Sequence, residues 1–548
     1  MLQDALFDAV ERDPGKEAVV APDGRVSYGT LAESVLRVAA GLRTLGLRRG
    51  DRAVIMASNS LAAATAVYAI ASAGGVFVVM SPQTGVEKLV RIVRHCGAVV
   101  VIADEQITPM VLEEVAAAPT VRAVVTMASR GIGAAVPWCE LLREEENAGP
   151  VATIPVDLAA LIYTSGSTCE PRGVMMTHGS MVFAAGSISE YLGLGPSDRI
   201  LDVLPFAFDY SLYQLLIGVS CGATLVLERS FAFPCRTLER VQKERVTIFP
   251  GVPTIFARLL AYSGRAGLEL PTVRRVTNTA ASLPPSFHEG LRRLFPNGLI
   301  FSMYGLTECK RVSYLEPALL DEKPTSVGTA IPGTEAFVLD DEGRLVRPGE
   351  IGTLHVRGPH LMAGYWNEPE LTSRMLKEGR YPGDRVLCTH DLFTVDDDGF
   401  LYFVGRTDDI IKSGGSKVSP TEVENALHAI DGVVNAAVVG VPDIEHGEII
   451  RAYVVLDEAA ALTTADILRG LRERLEGYMV PHDVVVLDQL PETDRGKVAK
   501  ASLVSSAADA GAGARVCGPD PACPPIQQPL RPRSRQAKGT RRRRSRIP

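Results

Sequence analysis

The segment from Thr164 to Arg172 contains side chains that could bind phosphate groups. Four hydroxyl residues surround one glycine and an arginine follows: Thr164, Ser165, Gly166, Ser167, Thr168 and Arg172. Hydroxyls and exposed backbone N–H groups on a loop can wrap the oxygens of a polyphosphate at close range. Taken alone, such a segment is more often an ordinary turn, and it does not have the G-x-x-x-x-G-K-[ST] pattern of P-loop proteins.

The elements around this segment alternate between helices and strands. Apolar residues at helical spacing predict helices, and short apolar runs between Gly or polar breaks predict strands. The order is helix 30–46, strand 52–56, helix 62–73, strand 76–80, helix 85–96 and strand 98–103. It predicts parallel sheets covered by helices, with ligands at the carboxyl ends of the strands.

The pattern changes in the second half of the chain. Within residues 349–403 the run from Gly352 to Gly358 alternates polar and apolar side chains and turn signals become frequent, which predicts an antiparallel sheet or small barrel. After Arg406 the pattern is that of a compact α+β unit. We therefore expect an α/β protein with a large N-terminal domain of parallel-rich sheets flanked by helices, including a small barrel-like subdomain, over residues 1–405. A small mobile α+β C-terminal domain would cover residues 406–505, and a tail residues 506–548.

Composition narrows the functional classes. With 548 residues, 46% hydrophobic and 22% charged, the chain has the character of a multidomain globular enzyme rather than of a disordered protein. Its nine cysteines form no C-x-x-C pair, which argues against a zinc site or a disulfide framework. The first residues do not resemble a signal peptide and no apolar run is long enough for a membrane span, so we expect a cytoplasmic protein.

The end of the chain differs in charge from the rest. The protein has a net charge of −7, yet the residues from Gly511 onward include ten basic residues and one acidic residue. With their proline-rich run, these residues are predicted to be disordered and to lie outside the enzyme. We expect no specific nucleic-acid partner for them.

Five motifs, in order along the chain, resemble those of the AMP-forming adenylating enzymes. This superfamily includes acyl-CoA synthetases, adenylation domains of nonribosomal peptide synthetases, and luciferases. The segment after Leu161 resembles the signature T-S-G-[ST]-T-G-x-P-K-G. The later matches are Tyr304-Gly-Leu-Thr-Glu308, Asp391, the run from Gly405 to Glu424, and Asp494-Arg-Gly-Lys-Val498. The resemblance covers residues 5–504 and implies the fold and activity of a stand-alone acid–thiol ligase.

The resemblance also implies roles for residues that would bind the nucleotide. The loop from Thr164 to Thr168, with Arg172, would hold the β- and γ-phosphates. Thr307 and Glu308 would serve the α-phosphate and Mg²⁺, since a hydroxyl and a carboxylate suit a hard cation. The remaining nucleotide contacts would be Ala281, Ser282, Tyr304 with Gly305 at the adenine, Asp391 at the ribose, and Arg406 at the ribose or phosphate.

Other matched residues would serve the change between two half-reactions. Lys497 would bridge the substrate carboxylate and the α-phosphate while charge develops during adenylation. In the family, the small domain then rotates about a hinge, here Asp408. The rotation removes the lysine and brings a glycine loop, Gly414 and Gly415, to line a channel for a thiol.

The identity of the acid depends on a weaker match. Asp209 lies where amino-acid-activating members carry a carboxylate that binds the substrate ammonium, which is one way to compensate a buried charge. It could equally cap a helix that starts at Tyr210. The other candidates for the acid pocket are Tyr210, Tyr213, Asn278, Met303, Arg311 and Val312. Their mixture of aromatic and polar groups favours a small polar, amino or aromatic acid over a long fatty acid.

Three positions depart from the family pattern. Cys169 replaces a glycine and Arg172 a lysine in the phosphate loop, and His390 stands where a glycine usually precedes the ribose-binding aspartate. Arginine keeps the charge but changes the donor geometry. We expect activity to survive these changes.

The implied reaction uses ATP, Mg²⁺ and a small carboxylic acid. The acid attacks the α-phosphate, pyrophosphate leaves, and the acyl-adenylate passes its acyl group to coenzyme A or to the phosphopantetheine of an acyl or peptidyl carrier protein. The alternatives are an amino-acid ligase that loads a carrier protein through Asp209, a luciferase-like oxygenase, and an inactive nucleotide-binding homologue. A monomer or homodimer is expected.

Overall fold

The computed structural model describes residues 1–115, 118–144, 149–164, 172–407, 409–413, 416–443, 447–457, 460, 462–493 and 497–509. The α-helices are α1 Leu2–Arg12, α2 Tyr28–Thr44, α3 Leu61–Ser72, α4 Val86–Cys96, α5 Thr108–Val115, α6 Trp138–Leu141, α7 His178–Leu192, α8 Asp209–Cys221, α9 Pro234–Lys243, α10 Pro253–Ala266, α11 Phe287–Leu294, α12 Pro369–Met375, α13 Pro420–His428, α14 Thr464–Arg472 and α15 Lys500–Asp509. Short 3₁₀ helices cover Pro317–Leu319 and Gly477–Met479.

The strands up to residue 304 are β1 Glu17–Ala21, β2 Gly24–Ser27, β3 Arg52–Met56, β4 Val76–Met80, β5 Ala98–Ala103, β6 Ala123–Thr126, β7 Val136–Pro137, β8 Leu158–Thr164, β9 Arg172–Thr177, β10 Arg199–Asp202, β11 Thr224–Leu227, β12 Ile248–Gly251, β13 Arg275–Asn278 and β14 Leu299–Tyr304. The later strands are β15 Ser313–Tyr314, β16 Thr329–Ala330, β17 Glu335–Leu339, β18 Gly352–Arg357, β19 Gly364–Tyr365, β20 Leu376–Glu378, β21 Arg385–Val395, β22 Leu401–Arg406, β23 Ile411–Ser413, β24 Ser416–Val418, β25 Val433–Asp443, β26 Gly447–Leu456 and β27 Asp483–Val486.

Two large sheets form the main body of the fold. One has the order β16-β15-β14-β13-β12-β10-β11-β1-β2, and its strands from β14 to β1 are parallel. The other has the order β19-β9-β8-β4-β3-β5-β6-β7 and is parallel from β8 to β7. Helices cover both sheets because parallel strands need crossover connections and bury both faces. The prediction of parallel sheets flanked by helices is confirmed.

Local sequence accounts for the ends of several helices. Helix α7 begins with a capping box in which the hydroxyl of Thr177 accepts the N–H of Ser180. It ends at Gly193, which has a positive φ of 58°. Glycine adopts this left-handed conformation without a Cβ penalty, and it stops the helix there.

A third sheet is entirely antiparallel, as the sequence of this region predicts. It has the order β17-β18-β21-β20, with β22 also paired to β21. Between the pairs Thr353–Leu392 and His355–Cys388 the register shifts, so that β21 carries a bulge over residues 389–391. Such bulges redirect side chains out of the regular alternation.

The last sheet belongs to the C-terminal part of the chain. It has the order β24-β23-β26-β25, with β27 parallel to β26. Helices α13 and α14 contribute Val423, Leu427, Ile467 and Leu471 to the hydrophobic core under this sheet. The structure thus has the small α+β C-terminal domain that the sequence predicts.

Met1–Val504 form one compact unit and a second unit begins at Ser505. Within the described residues, no helix combines the length and the apolar character needed to cross a bilayer. The predicted boundary near residue 405 stays a prediction, and the predicted disorder of residues 511–548 lies outside the described residues.

Candidate active site

The carboxyl ends of neighbouring parallel strands carry two of the predicted site residues. Asn278 is the last residue of β13 and Tyr304 is the last residue of β14. The two strands pair in parallel, so that both ends lie at the same edge of the sheet. This is the edge at which open parallel sheets bind ligands.

Tyr304 contacts the predicted ribose-binding carboxylate. Its hydroxyl donates a hydrogen bond to Oδ2 of Asp391. The tyrosine ring packs edge-on against Phe393, with ring centroids 4.9 Å apart, and lies 6.1 Å from Phe403. Antiparallel strands β21 and β22 thus hold the Tyr304 ring in a fixed orientation beside Asp391.

Asp391 is a buried carboxylate with remaining acceptor capacity. Only 7% of the residue is exposed, and burial raises the pKa of its carboxyl group although the bond from Tyr304 and the charge of Arg406 lower it. Nε of Arg406 lies 3.4 Å from Oδ1, yet Oδ1 accepts no hydrogen bond from the part of the chain that the structure describes. A buried acceptor without a donor costs free energy, so the position fits a ligand hydroxyl such as that of a ribose.

The bulge in β21 explains how Asp391 reaches this place. His390, at the centre of the bulge, has a φ of +57°. Its backbone oxygen accepts hydrogen bonds from the N–H and the hydroxyl of Thr407, at 3.1 and 2.9 Å. The left-handed conformation favours glycine, which is the residue the family pattern has here. His390 therefore keeps the local backbone of the pattern at a cost in strain.

Glu308, the predicted Mg²⁺ ligand, also has a tyrosine partner. The hydroxyl of Tyr365 donates to Oε1 of Glu308 over 2.7 Å, and Met362 N–H donates to the Glu308 backbone oxygen over 2.7 Å. Thr307, directly before it, is half-buried. The hydroxyl and carboxylate oxygens are the donor types that Mg²⁺ prefers. We call Tyr304, Glu308, Tyr365, Asp391 and Arg406 the nucleotide-side cluster.

Much of the predicted phosphate loop lies outside the described residues. Ser165, Gly166, Ser167, Thr168 and Cys169 belong to the part that the structure does not describe. Thr164 ends β8 and its backbone pairs with that of Arg172 at the start of β9. The charge of Arg172 lowers the pKa of Tyr365, the partner of Glu308, against the larger effect of burial.

The predicted hinge residue Asp408 and the predicted thiol-channel residues Gly414 and Gly415 likewise lie outside the described residues.

Two of the predicted acid-binding residues, Tyr210 and Arg311, are buried close to each other. Tyr210 is 2% exposed and its hydroxyl bonds to the backbone oxygen and the hydroxyl of Thr277, at 3.0 and 2.6 Å. Arg311 is 1% exposed; its Nη1 donates to Thr279 over 2.6 Å, and its guanidinium carbon lies 5.7 Å from the Tyr210 ring centroid. Buried hydrogen bonds thus fix both side chains.

Lys310, which the sequence analysis missed, is a buried cation among these aromatic rings. Its Nζ lies 4.6 Å from the ring centroid of Tyr213 and 5.3 Å from that of Tyr210. Burial lowers the pKa of Lys310 to about 7, while the charge of Asp209 raises it and that of Arg311 lowers it. A φ of +65° at Lys310 turns this side chain inward from the tight loop that follows Glu308.

The same loop depends on Gly305. A Cβ at this position would lie 2.2 Å from the backbone oxygen of Lys310, so only glycine allows the loop to return on itself. We call Tyr210, Tyr213, Asn278, Lys310 and Arg311 the acid-side cluster.

Two members of the acid-side cluster keep free hydrogen-bonding atoms. The hydroxyl of Tyr213 and Oδ1 of Asn278 are buried without a partner among the described residues, while Nδ2 of Asn278 donates to the Ala281 backbone oxygen over 3.0 Å. Unpaired buried polar atoms of this kind are rare and point to a polar ligand.

Asp209 is buried at the start of a helix. It is the first residue of α8, whose N-cap is Phe208, so the helix starts one residue earlier than the capping alternative requires. The negative charge there is favourable beside the helix N-terminus. Burial and the charge of Asp209 both raise the pKa of Tyr213, so Asp209 lies beside the acid-side cluster.

The remaining predicted residues lie around these two clusters. Met303 and Val312 are buried, and Sδ of Met303 accepts a hydrogen bond from the hydroxyl of Tyr191 over 3.0 Å. Ala281 is exposed and Ser282 half-buried, just after Ala280, which has a φ of +77°.

Lys497 comes from the C-terminal part of the chain and lies near both clusters. It is exposed, on a hairpin in which Glu492 pairs with Val498 and Thr493 N–H donates to the Lys497 backbone oxygen over 2.7 Å. Its charge lowers the pKa of Asp391, where the larger effect of burial acts in the opposite direction. It also lowers the pKa of Lys310, where the larger effect of burial acts in the same direction. Lys497 therefore lies within electrostatic range of a carboxylate of one cluster and an amine of the other.

Tyr365 and Lys310 are the residues that motif reasoning did not find. Tyr365 is distant in sequence from Glu308, and no local pattern connects them. Lys310 directly follows the Thr307-Glu308-Cys309 run and precedes Arg311, so two adjacent basic residues after the motif were an available signal.

Comparison with known proteins agrees with this geometry. Residues 6–366 match the profile of the AMP-binding enzyme family, and residues 422–497 match the AMP-binding enzyme C-terminal domain. A feruloyl-CoA synthase from an Amycolatopsis species is 33% identical over 486 residues, which cover 87% of this chain and 93% of that protein.

Two solved structures are similar over almost their entire length. ATP-bound MatB from Rhodopseudomonas palustris superposes with a TM-score of 0.84 at 28% identity, over 93% of this chain and 99% of that one. The anthranilate CoA ligase AuaEII in complex with anthranoyl-AMP superposes with a TM-score of 0.85 at 25% identity, over 92% and 97% of the two chains.

Proposed function

Because the chain belongs to the AMP-binding enzyme family and is an AMP-forming acid–CoA ligase, we propose that it activates a short aromatic or small polar carboxylic acid. The acid would become an acyl-adenylate with release of pyrophosphate, and its acyl group would then pass to the thiol of coenzyme A.

The position of Lys497 carries this proposal. Its charge acts on Asp391 in the nucleotide-side cluster and on Lys310 in the acid-side cluster. The carboxylate of the acid and the α-phosphate of ATP would meet at a cation that lies beside both clusters. Lys497 would reduce the repulsion between these two anions and stabilise the charge that develops in the transition state.

The nucleotide-side cluster fits ATP. Oδ1 of Asp391 would accept a hydrogen bond from a ribose hydroxyl, while Tyr304 holds the other carboxylate oxygen. Arg406 would contact the ribose or the phosphate. Glu308 and Thr307 would hold Mg²⁺, which supplies charge neutralisation of the phosphates when it is bound. Tyr365 would keep the Glu308 carboxylate oriented through its hydroxyl.

The acid-side cluster supports a short acid. Tyr210, Tyr213 and Arg311 are all nearly fully buried, and their bulk would leave little room for a long alkyl chain. The unpaired hydroxyl of Tyr213 and Oδ1 of Asn278 would bind polar substituents of the acid. The feruloyl-CoA synthase and the anthranilate CoA ligase, to which this chain is similar, are named for aromatic acids.

An amino acid loaded onto a carrier protein is the second candidate, and the buried carboxylate of Asp209 favours it. Asp209 would bind the substrate ammonium. Lys310 already places an amine near this carboxylate, however, and a proton on that amine would repel a substrate ammonium at the same aspartate. This repulsion makes an acid without an ammonium group the first choice.

Pyrophosphate exchange across a panel of acids tests the proposal. Benzoate, hydroxybenzoates, cinnamates, amino acids and long fatty acids would each be supplied with ATP and labelled pyrophosphate. We expect exchange with an aromatic or small polar acid and background exchange with palmitate. Coenzyme A and a phosphopantetheinylated carrier protein would then be compared as acceptors. Exchange only with amino acids would favour the second candidate, and background exchange throughout would favour an inactive homologue.

A further inference from the structure

An ion pair joins the hairpin that carries Lys497 to a helix of the large domain. Nη2 of Arg258, on α10, lies 2.7 Å from Oε1 of Glu492. The two residues are 234 positions apart in the chain. Their side chains are 38% and 21% exposed, so the pair is partly shielded from water.

Glu492 is rigidly coupled to the backbone of Lys497. It stands opposite Val498 in an antiparallel bridge, so its position is fixed relative to the residue after Lys497. Next to it, Thr493 N–H donates to the Lys497 backbone oxygen over 2.7 Å, and Lys497 N–H donates to the Thr493 hydroxyl over 3.3 Å. A force that holds the Glu492 side chain therefore also holds the backbone from which the Lys497 side chain extends.

A cavity lies near this ion pair, and Ala257, the residue before Arg258, lines it. It has a volume of about 510 Å³ and lies between α10 and α11 on one side and residues 428–434 on the other. Next to it, the rings of Phe287 and His428 meet edge-on with centroids 5.5 Å apart. Since a cavity contributes no packing energy, directed contacts such as the ion pair have a larger share in holding this arrangement.

We propose that the Arg258–Glu492 ion pair acts as a catch: it holds the small domain in the arrangement that positions Lys497 for adenylation, and it breaks for the second half-reaction. This proposal rests on the proposed role of Lys497. Arg258 and Glu492 are positioning residues and do not touch the substrates. The pair favours one of two arrangements of the small domain, so its loss lowers the population of the adenylation-competent arrangement.

Charge-reversal variants test this catch. Arg258→Glu and Glu492→Arg each place like charges opposite each other, and the double variant restores an ion pair in the opposite sense. With benzoate as the probe acid, we expect each single reversal to lower pyrophosphate exchange about three- to tenfold, in line with the strength of a partly exposed pair. Thioester formation from supplied benzoyl-adenylate and coenzyme A should stay within twofold of wild type. The double variant should recover exchange to within twofold.

Arg292→Glu is the matched control. Arg292 pairs with Asp321 over 2.7 Å, but both partners belong to the large domain. This reversal should leave both half-reactions unchanged. Equal losses in the two half-reactions of the single variants, or a double variant no better than either single one, would overturn the proposal. Glu492→Gln, which introduces no repulsion, should show a smaller loss of exchange with the same selectivity if a reversal variant folds poorly.

Amide hydrogen exchange separates failure of the catch from failure of the proposed function. In the presence of AMP, the peptide that contains Glu492 should exchange faster in both single reversals and at the wild-type rate in the double variant. If the wild-type protein activates no acid, the proposed function fails, while this measurement still decides whether the ion pair holds the hairpin. Unchanged protection in the single variants would contradict the catch.

Discussion

Replacing the buried Lys310 by methionine should change how the stability of the protein depends on pH. The pKa of Lys310 is lowered from 10.5 to about 7, chiefly because burial disfavours the charged form. Between these two pH values the unfolded chain binds one more proton at this position than the folded chain. The free energy of unfolding of the wild type therefore rises with pH across this window, by about 1.4 kcal/mol per pH unit.

The Lys310→Met variant lacks this titration, so the comparison isolates it. At pH 7 the buried lysine destabilises the fold by about 4 kcal/mol relative to a neutral group, and this cost disappears toward pH 10. Because methionine does not titrate, the variant takes up no proton at position 310 in either the folded or the unfolded state. The stability of the wild type relative to the variant should thus rise with pH.

Thermal unfolding of both proteins at pH 7, 8 and 9 measures this difference. We expect the melting temperature of the wild type to gain about 1 to 2 °C per pH unit relative to the variant, given the unfolding entropy of a large domain. Lys377→Met, at an exposed position of β20, controls for the general effect of the substitution. A difference in melting temperature between the wild type and Lys310→Met that stays constant from pH 7 to 9 would refute the conclusion that Lys310 is buried with a lowered pKa.

Three further results are expected. His390→Gly should stabilise the protein by about 0.5 to 1 kcal/mol in thermal unfolding, because relief of the left-handed strain exceeds the added chain entropy; a loss of stability would contradict this reading. Tyr365→Phe should lower kcat/KM for Mg·ATP about tenfold, since Glu308 loses a hydrogen bond, with unchanged kinetics as the contrary outcome. Removal of residues 511–548 should leave pyrophosphate exchange at the wild-type rate, and an impaired truncated protein would show that the tail is needed.

The regular elements of the parallel sheets could be predicted closely from sequence. Strands β3, β4 and β5 begin and end where the apolar runs 52–56, 76–80 and 98–103 predict. These strands are buried on both faces, so their boundaries are marked by abrupt changes in polarity. Helix ends were less accurate: α2 ends at Thr44 rather than at residue 46, because the last turn of a helix depends on local capping.

The site could be predicted only where a motif defines it locally. The hydrogen bond between Tyr304 and Asp391 joins two predicted residues, but the bulge that directs Asp391 depends on pairing between β18 and β21. Tyr365 contacts Glu308, and Arg258 contacts Glu492, only because the fold brings these distant residues together. Neither contact leaves a periodic signal in the sequence. Long-range contacts of this kind need the structure.

The two half-reactions of Lys497→Ala test the central claim most directly. The variant would be assayed for pyrophosphate exchange with the acid that the wild type activates best, and for thioester formation from the corresponding supplied acyl-adenylate and coenzyme A. If Lys497 lies between the acid and the α-phosphate, exchange falls to background while thioester formation remains close to wild type. Equal loss of both half-reactions, or exchange that persists, would contradict the place given to Lys497 between the two clusters.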